Sequence, residues 1–341
     1  IFVSDMSKKS IILLSVVAAV AAIAIVGVTV FVGYTRGYDG ESEQWVYVGS
    51  NASPDDVSRE LKQRLGDTGA KADKIMRLSG KEAVNGAYLI EPGMSAIDIA
   101  RKISRGAQTP IKLTFNNIRT LDQLASRVGE RLELDSLQFM KACDEVLPGA
   151  GFTKPTYIAA FLPDTYEFYW TASPESVVKR LLDYRNRFWN DERRAKAKSL
   201  GLTPVQAATV ASIAEEETNN AEERGVVARL YMNRLNRGML LQADPTVKYA
   251  VGDFGLRRIT GAHLAVASPY NTYKNPGLPP GPIRMPSART LDALLKSKPH
   301  NYIYMCAKED FSGLHNFASD FATHQKNAAR YRKELDRRKI R

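Results

Sequence analysis

The longest uninterrupted apolar run lies near the start of the chain. From Ile11 to Val32 no side chain carries a charge, and roughly 22 residues at about 1.5 Å rise each are enough to cross a hydrocarbon core of about 30 Å. The run predicts a membrane-spanning helix over 11–33. A cleaved signal peptide has a shorter apolar region of about 7–15 residues and a small-residue cleavage site; Ala18, Ala19, Ala21 and Ala22 keep cleavage as the alternative. Lys8 and Lys9 precede the run, whereas Asp39, Glu41 and Glu43, with only Arg36 near, follow it. The positive-inside rule therefore puts residues 1–10 in the cytoplasm and the rest of the chain on the far side of the cytoplasmic membrane, in a single-pass arrangement. The opening IFVSD before Met6 reads as sequence upstream of the folded protein and takes no part in the fold reading.

Beyond the run a second pattern recurs three times: a short apolar strand, a turn and an amphipathic helix opened by a capping residue. The instances are WVYVGSNASPDDVSRELKQRL, AYLIEPGMSAIDIARKIS and IKLTFNNIRTLDQLASRVGERL. Ser53, Ser95 and Thr120 are placed to accept from first-turn amides, and Asp56, Asp98 and Gln123 three residues on complete box-like caps. Apolar residues then follow at helical spacing, as in Ala96, Ile99 and Ile103 or Leu121, Leu124 and Val128. Such strand-helix units resemble LysM-like modules, which bind N-acetylated glycan; ordinary α+β connections give the same pattern.

From about Gly149 proline, glycine, tyrosine and tryptophan become frequent. FLPDTYEFYW, Phe161 to Trp170, sets five aromatics around a Pro-Asp turn. Tyr166, Tyr169 or Trp170 could line a carbohydrate cleft, since aromatic faces stack on sugars, or could be core. A helix follows from Pro174 to about Lys198. The run GLPPGPIRMP cannot be helical, because each proline fixes φ and removes a donor, and reads as a rigid cleft wall.

Composition changes this picture little. The chain has 341 residues, 44% of them hydrophobic, enough for two folded units. Its net charge of +11 is spread along the length, which suits a membrane face or an anionic wall polymer more than a nucleic-acid groove. Cys143 and Cys306 exclude a disulfide framework and a cysteine zinc cluster, and leave a single bridge between them open.

Chemistry concentrates in one helix. Thr203 as N-cap, Pro204 at the first position and Gln206 at the third announce it, and it runs through VQAATVASIAEEET. Glu217 falls four residues after Ile213 and seven after Val210, on the apolar stripe, with Glu215 and Glu216 turned away. A carboxyl pressed on apolar surface holds its proton toward neutral pH, as a general acid for glycosidic cleavage needs. Where the attacking group belongs to the substrate, one glutamate can act as acid and then as base.

The stretch ASIAEEETNNAEERGVVARLYMNRLNRGMLLQADPTVKYA, Ala211 to Ala250, closely resembles the endolytic murein transglycosylases, the MltG or YceG-like family. SPYNTY at Ser268–Tyr273, GLPPGPI at Gly277–Ile283 and HNFASDFATH near the C-terminus continue the resemblance, which covers about 180 residues from FLPDTY onward. It implies a lyase in which the 6-hydroxyl of N-acetylmuramic acid attacks its own anomeric carbon, cutting the bond to N-acetylglucosamine within nascent strands and leaving 1,6-anhydro ends. The family's glutamate before threonine corresponds to Glu217; Glu215, of the same motif, would orient the substrate or a neighbouring base, and Glu216 is expected to be exposed. Asn233, Gln242, Asp244 and Thr246 offer groups suited to N-acetyl and hydroxyl recognition, with loop-internal bonding as the alternative. Tyr270, Asn271, Thr272 and Tyr273 combine rings with polar tips and are expected at the substrate. His315 and His324 resemble family histidines; structural hydrogen bonding is expected of them rather than metal ligation, since no HExxH-type spacing exists.

Together these features predict an α+β protein: a cytoplasmic tail over 1–10, a transmembrane helix over 11–33, a LysM-like α+β subdomain over 40–148 and a mixed α+β YceG-like catalytic domain over 149–341. Peptidoglycan strands, the membrane and peptidoglycan synthases are the expected partners, with no nucleic acid, cofactor or metal. Two rivals stand beside the lyase. A muramidase using water would need a second cleft carboxylate, Asp244 or Asp164. The other is a non-catalytic glycan-binding scaffold.

Overall fold

The structure, a computed structural model, describes residues 8–256 and 258–339, with side chains from residue 12 onward. The expected cytoplasmic tail lies largely outside the described residues, as does IFVSD. Helix α1 (Lys8–Thr35) covers the apolar run, and Ile12–Thr35 is long and apolar enough to cross a membrane. Its large side chains, among them Ile12, Leu14, Ile23 and Phe31, are exposed.

The chain divides into two compact units, residues 1–111 with 167–171 and residues 112–166 with 172–341; the sequence reading drew its boundary at 148. In the first unit β1 (Gln44–Val48) bridges to the rest through α2 (Pro54–Leu78) and pairs antiparallel with β2 (Gly86–Ile90), Trp45 facing Leu89. Helix α2 is no rod. A straight helix would hold Pro54 and Arg77 about 35 Å apart, yet Arg77 Nη2 donates to the Pro54 carbonyl at 3.0 Å and to Asp55 at 3.2 Å. The chain doubles back at Gly66, whose φ of 57° and ψ of −131° suit glycine alone. The two arms bury Leu61, Leu65, Ala72 and Met76 against β1, β2 and α3 (Ala96–Ser104), where Ile99 and Ile103 complete the core. Ser53 and Ser95 cap their helices as expected, Ser53 in a full capping box with Asp56.

Strand β3 (Ile111–Phe115) pairs with β4 (Asp164–Phe168) rather than joining the first sheet. Thr120 and Gln123 close the capping box of α4 (Leu121–Gly129), and α5 (Ser136–Val146) packs on it. All three strand-helix instances therefore form, the first with a doubled helix. The single helix expected from Pro174 to about Lys198 is two, α6 (Pro174–Phe188) and α7 (Asp191–Ser199), because Asn190 starts a new cap by accepting from Arg193 N at 3.0 Å.

Helix α8 (Pro204–Glu217) is the central rod, opened by the expected Thr203–Gln206 box. Every residue from Ala207 to Glu215 is buried, under α9 (Arg224–Asn236), α10 (Asp244–Val251) and others. The helix has no polar face, so the expected stripe does not set Glu217 apart. After α11 (Gly261–Leu264), the proline run stays non-helical and lies along α8, with Ile283 N donating to Ser212 Oγ at 3.1 Å. Helix α12 (Ala288–Leu295), the hairpin β5 (Tyr304–Ala307) and β6 (His315–Ala318), and α13 (Phe321–Arg337) finish the unit.

Candidate active site

A cavity of about 270 Å³ opens where α8 ends. Glu217 enters it from the last residue of α8, Leu230, Tyr231 and Arg234 from α9, and Gln242 and Asp244 from the turn into α10. Tyr273, then Ile303, Tyr304 and Met305 around β5, and His324 of α13 close it. Unpartnered buried polar atoms are rare in folded proteins and ask for an explanation. Six occur among the described residues, and three of them, Glu217 Oε2, Arg234 Nε and His324 Nδ1, belong to side chains lining this one cavity.

The Glu217 carboxyl is pushed up to about 7, first by burial and then by the negative charge of Asp244. The His315 ring, a hydrogen bond from Tyr231 and the Lys248 ammonium pull the other way without prevailing. Its place at a helix C-terminus works in the raising direction, since the macrodipole disfavours an anion there. Tyr231 is itself fully enclosed, and burial together with the neighbouring carboxyl keeps its phenol protonated, a permanent donor to Glu217. The Tyr273 hydroxyl donates to Asp244 Oδ1 at 2.6 Å, which ties the second carboxylate of the cavity in place.

The other two glutamates of the motif are engaged elsewhere. Glu215 is 7% exposed and accepts from Ser287 N at 2.8 Å and Ser287 Oγ at 3.1 Å, with Arg224 and Arg284 at 3.5 and 3.8 Å. It fastens the start of α12 and does not line the cavity. Glu216, expected to be exposed, instead pairs with Arg284 and Arg119, both at 2.9 Å. The physical reason is the proline run, which carries Arg284 alongside α8.

Of the remaining expected residues, the structure brings Gln242, Asp244 and Tyr273 to the cavity with Glu217. Gln242 adopts a left-handed φ of 49°, held by its N–H to the Thr272 carbonyl at 3.1 Å and by Arg234 Nη2 on its Oε1 at 3.3 Å. Backbone held in that region by several bonds is typical of functional sites. Thr246 is buried, donates to the Ala243 carbonyl at 2.6 Å and meets the Thr272 hydroxyl at 2.8 Å, so both support the turn from beneath. Asn271 is also buried and donates to the Leu264 and Val266 carbonyls at 3.0 and 2.9 Å. Asn233 pins the His300 and Tyr302 carbonyls at 2.7 and 3.0 Å. Tyr270 packs on Tyr249 with ring centroids 4.6 Å apart and is not part of the cavity lining. Tyr166 is core, 5% exposed, stacked on Phe115 and bonded through its hydroxyl to the Leu162 carbonyl at 2.7 Å. Trp170 rests on Tyr47, Tyr169 is exposed, and Asp164 bonds the Tyr184 hydroxyl. None of the proline run lines the cavity. His315 is bound to Glu223, ring and backbone nitrogen at 3.0 and 2.9 Å.

Sequence reasoning missed Tyr231, Arg234 and Tyr304. Tyr231 and Arg234 stand three apart on α9, a spacing that puts them on one face, but which face meets Glu217 depends on how α8 and α9 cross. His324 was recognised only as a structural histidine; its ring stacks on Tyr304 at 5.1 Å, and burial, reinforced by Arg234 and Arg332, holds it below the usual imidazole range.

The second unit is thus a mixed α+β fold whose aromatic-lined cavity holds a carboxyl of raised affinity for its proton. Residues 46–330 match the YceG-like family, and the chain belongs to it. It is similar to the endolytic murein transglycosylase of Streptococcus pneumoniae serotype 2 (strain D39 / NCTC 7466), 28% identical over 278 residues, which are 72% of this chain and 50% of that protein. The endolytic murein transglycosylase of Bacillus subtilis (strain 168) is 27% identical over 283 residues, 76% of this chain and 75% of that protein. The chain thus spans about half the length of the pneumococcal relative. The crystal structure of a yceG-like protein from Listeria monocytogenes superposes with a TM-score of 0.54 at 26% identity, covering 84% of this chain and 99% of that one.

Proposed function

We propose that this protein is an endolytic peptidoglycan lytic transglycosylase, with Glu217 as its acid and base. The supporting observation is a carboxyl with a buried, unpartnered oxygen, raised to about 7, in a cavity walled by Tyr231, Tyr273 and Tyr304. Protonated Glu217 donates to the oxygen bridging N-acetylmuramic acid and N-acetylglucosamine as that bond breaks and the muramyl ring takes on oxocarbenium character. The resulting carboxylate then accepts the proton of the muramyl 6-hydroxyl as its oxygen bonds to the anomeric carbon. The proton count closes and Glu217 returns to its starting state. Asp244, fixed by Tyr273, favours both the protonated acid before the step and the positive ring during it. Gln242 and Arg234 present an amide and a guanidinium to the substituents of the sugar.

Cutting inside nascent strands would end their elongation. α1 would cross the cytoplasmic membrane with its N-terminus inside and both units outside, beside the peptidoglycan synthases. A LysM-like glycan-binding role for the first unit is supported by its strand, doubled helix and antiparallel return strand.

The presence of Asp244 in the same cavity also supports a second reading, hydrolysis with Asp244 activating water. Mass spectrometry of digests of uncrosslinked glycan separates the two. Anhydro ends from the native chain, absent with Glu217→Gln, are the expected result; reducing ends heavier by one water would replace the lyase with the hydrolase. Glycan bound but never cut by the native chain would leave a scaffold.

A further inference from the structure

A second cavity, of about 340 Å³, lies in the first unit at the C-terminal end of α1. Its wall combines Gly33 and Arg36, at and just beyond the last turns of the apolar helix, with Arg64, Gly66, Asp67 and Lys71 at the tip of the α2 hairpin. Lys71 reaches the span itself: its Nζ lies 3.9 Å from where a β-carbon on Gly33 would stand. The segment leaving the membrane helix is also fixed. Tyr38 N donates to the Met94 carbonyl at 2.8 Å, Gly93 N to the Tyr38 carbonyl at 2.8 Å, and any side chain at Gly37 would collide with the Gly93 carbonyl at 2.4 Å. The hairpin tip is therefore held at the level where the apolar span stops.

At that level the neighbouring molecules are lipid headgroups. Arg64 shares its charge with Glu60 at 3.1 Å, but Arg36 and Lys71 enter no ion pair among the described residues. Asp39 and Asp67 sit in the same wall. Two uncommitted cations beside two carboxylates match a phosphodiester whose far end carries hydrogen-bond donors, the phosphate meeting the cations and the amine or hydroxyl end meeting the carboxylates. We propose that the cavity formed by the end of α1 and the α2 hairpin tip is a headgroup site for a phospholipid with a donor-bearing headgroup, such as phosphatidylethanolamine. The proposal rests on α1 spanning the membrane and is independent of the glycan chemistry.

Native mass spectrometry of the full chain in detergent, offered equimolar phosphatidylethanolamine and phosphatidylcholine, tests it, since the choline headgroup keeps the phosphate but has no donor. The expected result is retention of one phosphatidylethanolamine at least tenfold over phosphatidylcholine. Arg36→Ala with Lys71→Ala should lose that retention about tenfold at an unchanged melting temperature, while Lys71→Arg keeps it. Equal retention of the two lipids overturns the proposal, as does a double variant that binds like the native chain. Displacement of the lipid by millimolar inorganic phosphate would reassign the cavity to free phosphate. Alkaline extraction of the chain from membranes would remove the spanning premise itself, a failure distinct from lost headgroup selectivity.

Discussion

The two sides of the last turn of α8 carry the same residue type and treat it in opposite ways. On one side Glu215 and Glu216 meet Ser287, Arg224, Arg284 and Arg119, so their negative charge is matched. On the other, Glu217 faces a carboxylate, a phenol and open cavity, so its charge is opposed. Burial is common to both sides and does not separate them. What does is the pairing of cations: Arg224, Arg284 and Arg119 form ion pairs with Glu215 or Glu216, whereas Arg234, which lines the same cavity as Glu217, enters no ion pair among the described residues. A buried carboxylate with cations is structural, and one without is held toward its neutral form, ready to give a proton.

The sharpest way to break this comparison is to remove the titrating group from each side in turn. Glu217→Gln keeps the shape and removes the proton, and should lower turnover by about 10²–10⁴-fold with glycan binding retained and the melting temperature nearly unmoved. Glu215→Ala should do the reverse, costing about 3–5 kcal/mol of stability, because breaking a buried ion pair strands the partner charges. Thermal denaturation beside a turnover assay reads both. If Glu217→Gln melts early and Glu215→Ala loses only activity, the two roles have been exchanged.

A smaller effect should appear in pH dependence. Glu217 keeps its proton up to about 7 in the folded protein, against 4.5 as its ordinary value. Across that window the native state binds more protons than the unfolded chain, so this group's contribution to stability falls as pH rises and levels off above about 7. Activity that needs the protonated acid falls in the same direction. Asp244→Asn removes the second-largest cause of the shift and should move the falling limb of the kcat profile to lower pH. An unmoved limb would mean that burial alone sets the proton affinity of Glu217.

How much of this was legible in the sequence follows from how local each signal is. The caps at Ser53, Ser95, Thr120 and Thr203 form as read because a cap joins residues three apart. The apolar length of α1 was equally plain. The α2 hairpin was not, because Gly66 inside a helical pattern looks tolerable until Arg77 is seen on Pro54. Glu217 was singled out for an incomplete reason. Its apolar stripe exists, but α8 is buried all round, and Glu215 is deeper in than the stripe suggested. The motif residues Asn233 and Thr246 left substrate contact and loop-internal bonding both open, and Asn271 was expected at the substrate; each spends its polar group on backbone carbonyls. Composition shows which groups can hydrogen-bond; only the tertiary path of the loops decides with what.

The mildest prediction concerns Tyr166, where the aromatic cluster reads as either cleft or core and the ring is found in the core. Its hydroxyl donates to the Leu162 carbonyl at 2.7 Å, while its ring stacks on Phe115 and meets Tyr184 edge-on. Tyr166→Phe keeps the ring packing and deletes that bond, so about 1 kcal/mol of stability should be lost. A residue that contacted sugar would instead weaken glycan binding with little change in melting. Measuring both on the same variant places Tyr166 on one side or the other: an unchanged KM with a slightly lower Tm keeps it with Glu215 among the residues that build the unit, and a raised KM at constant Tm would move it to the side of Glu217.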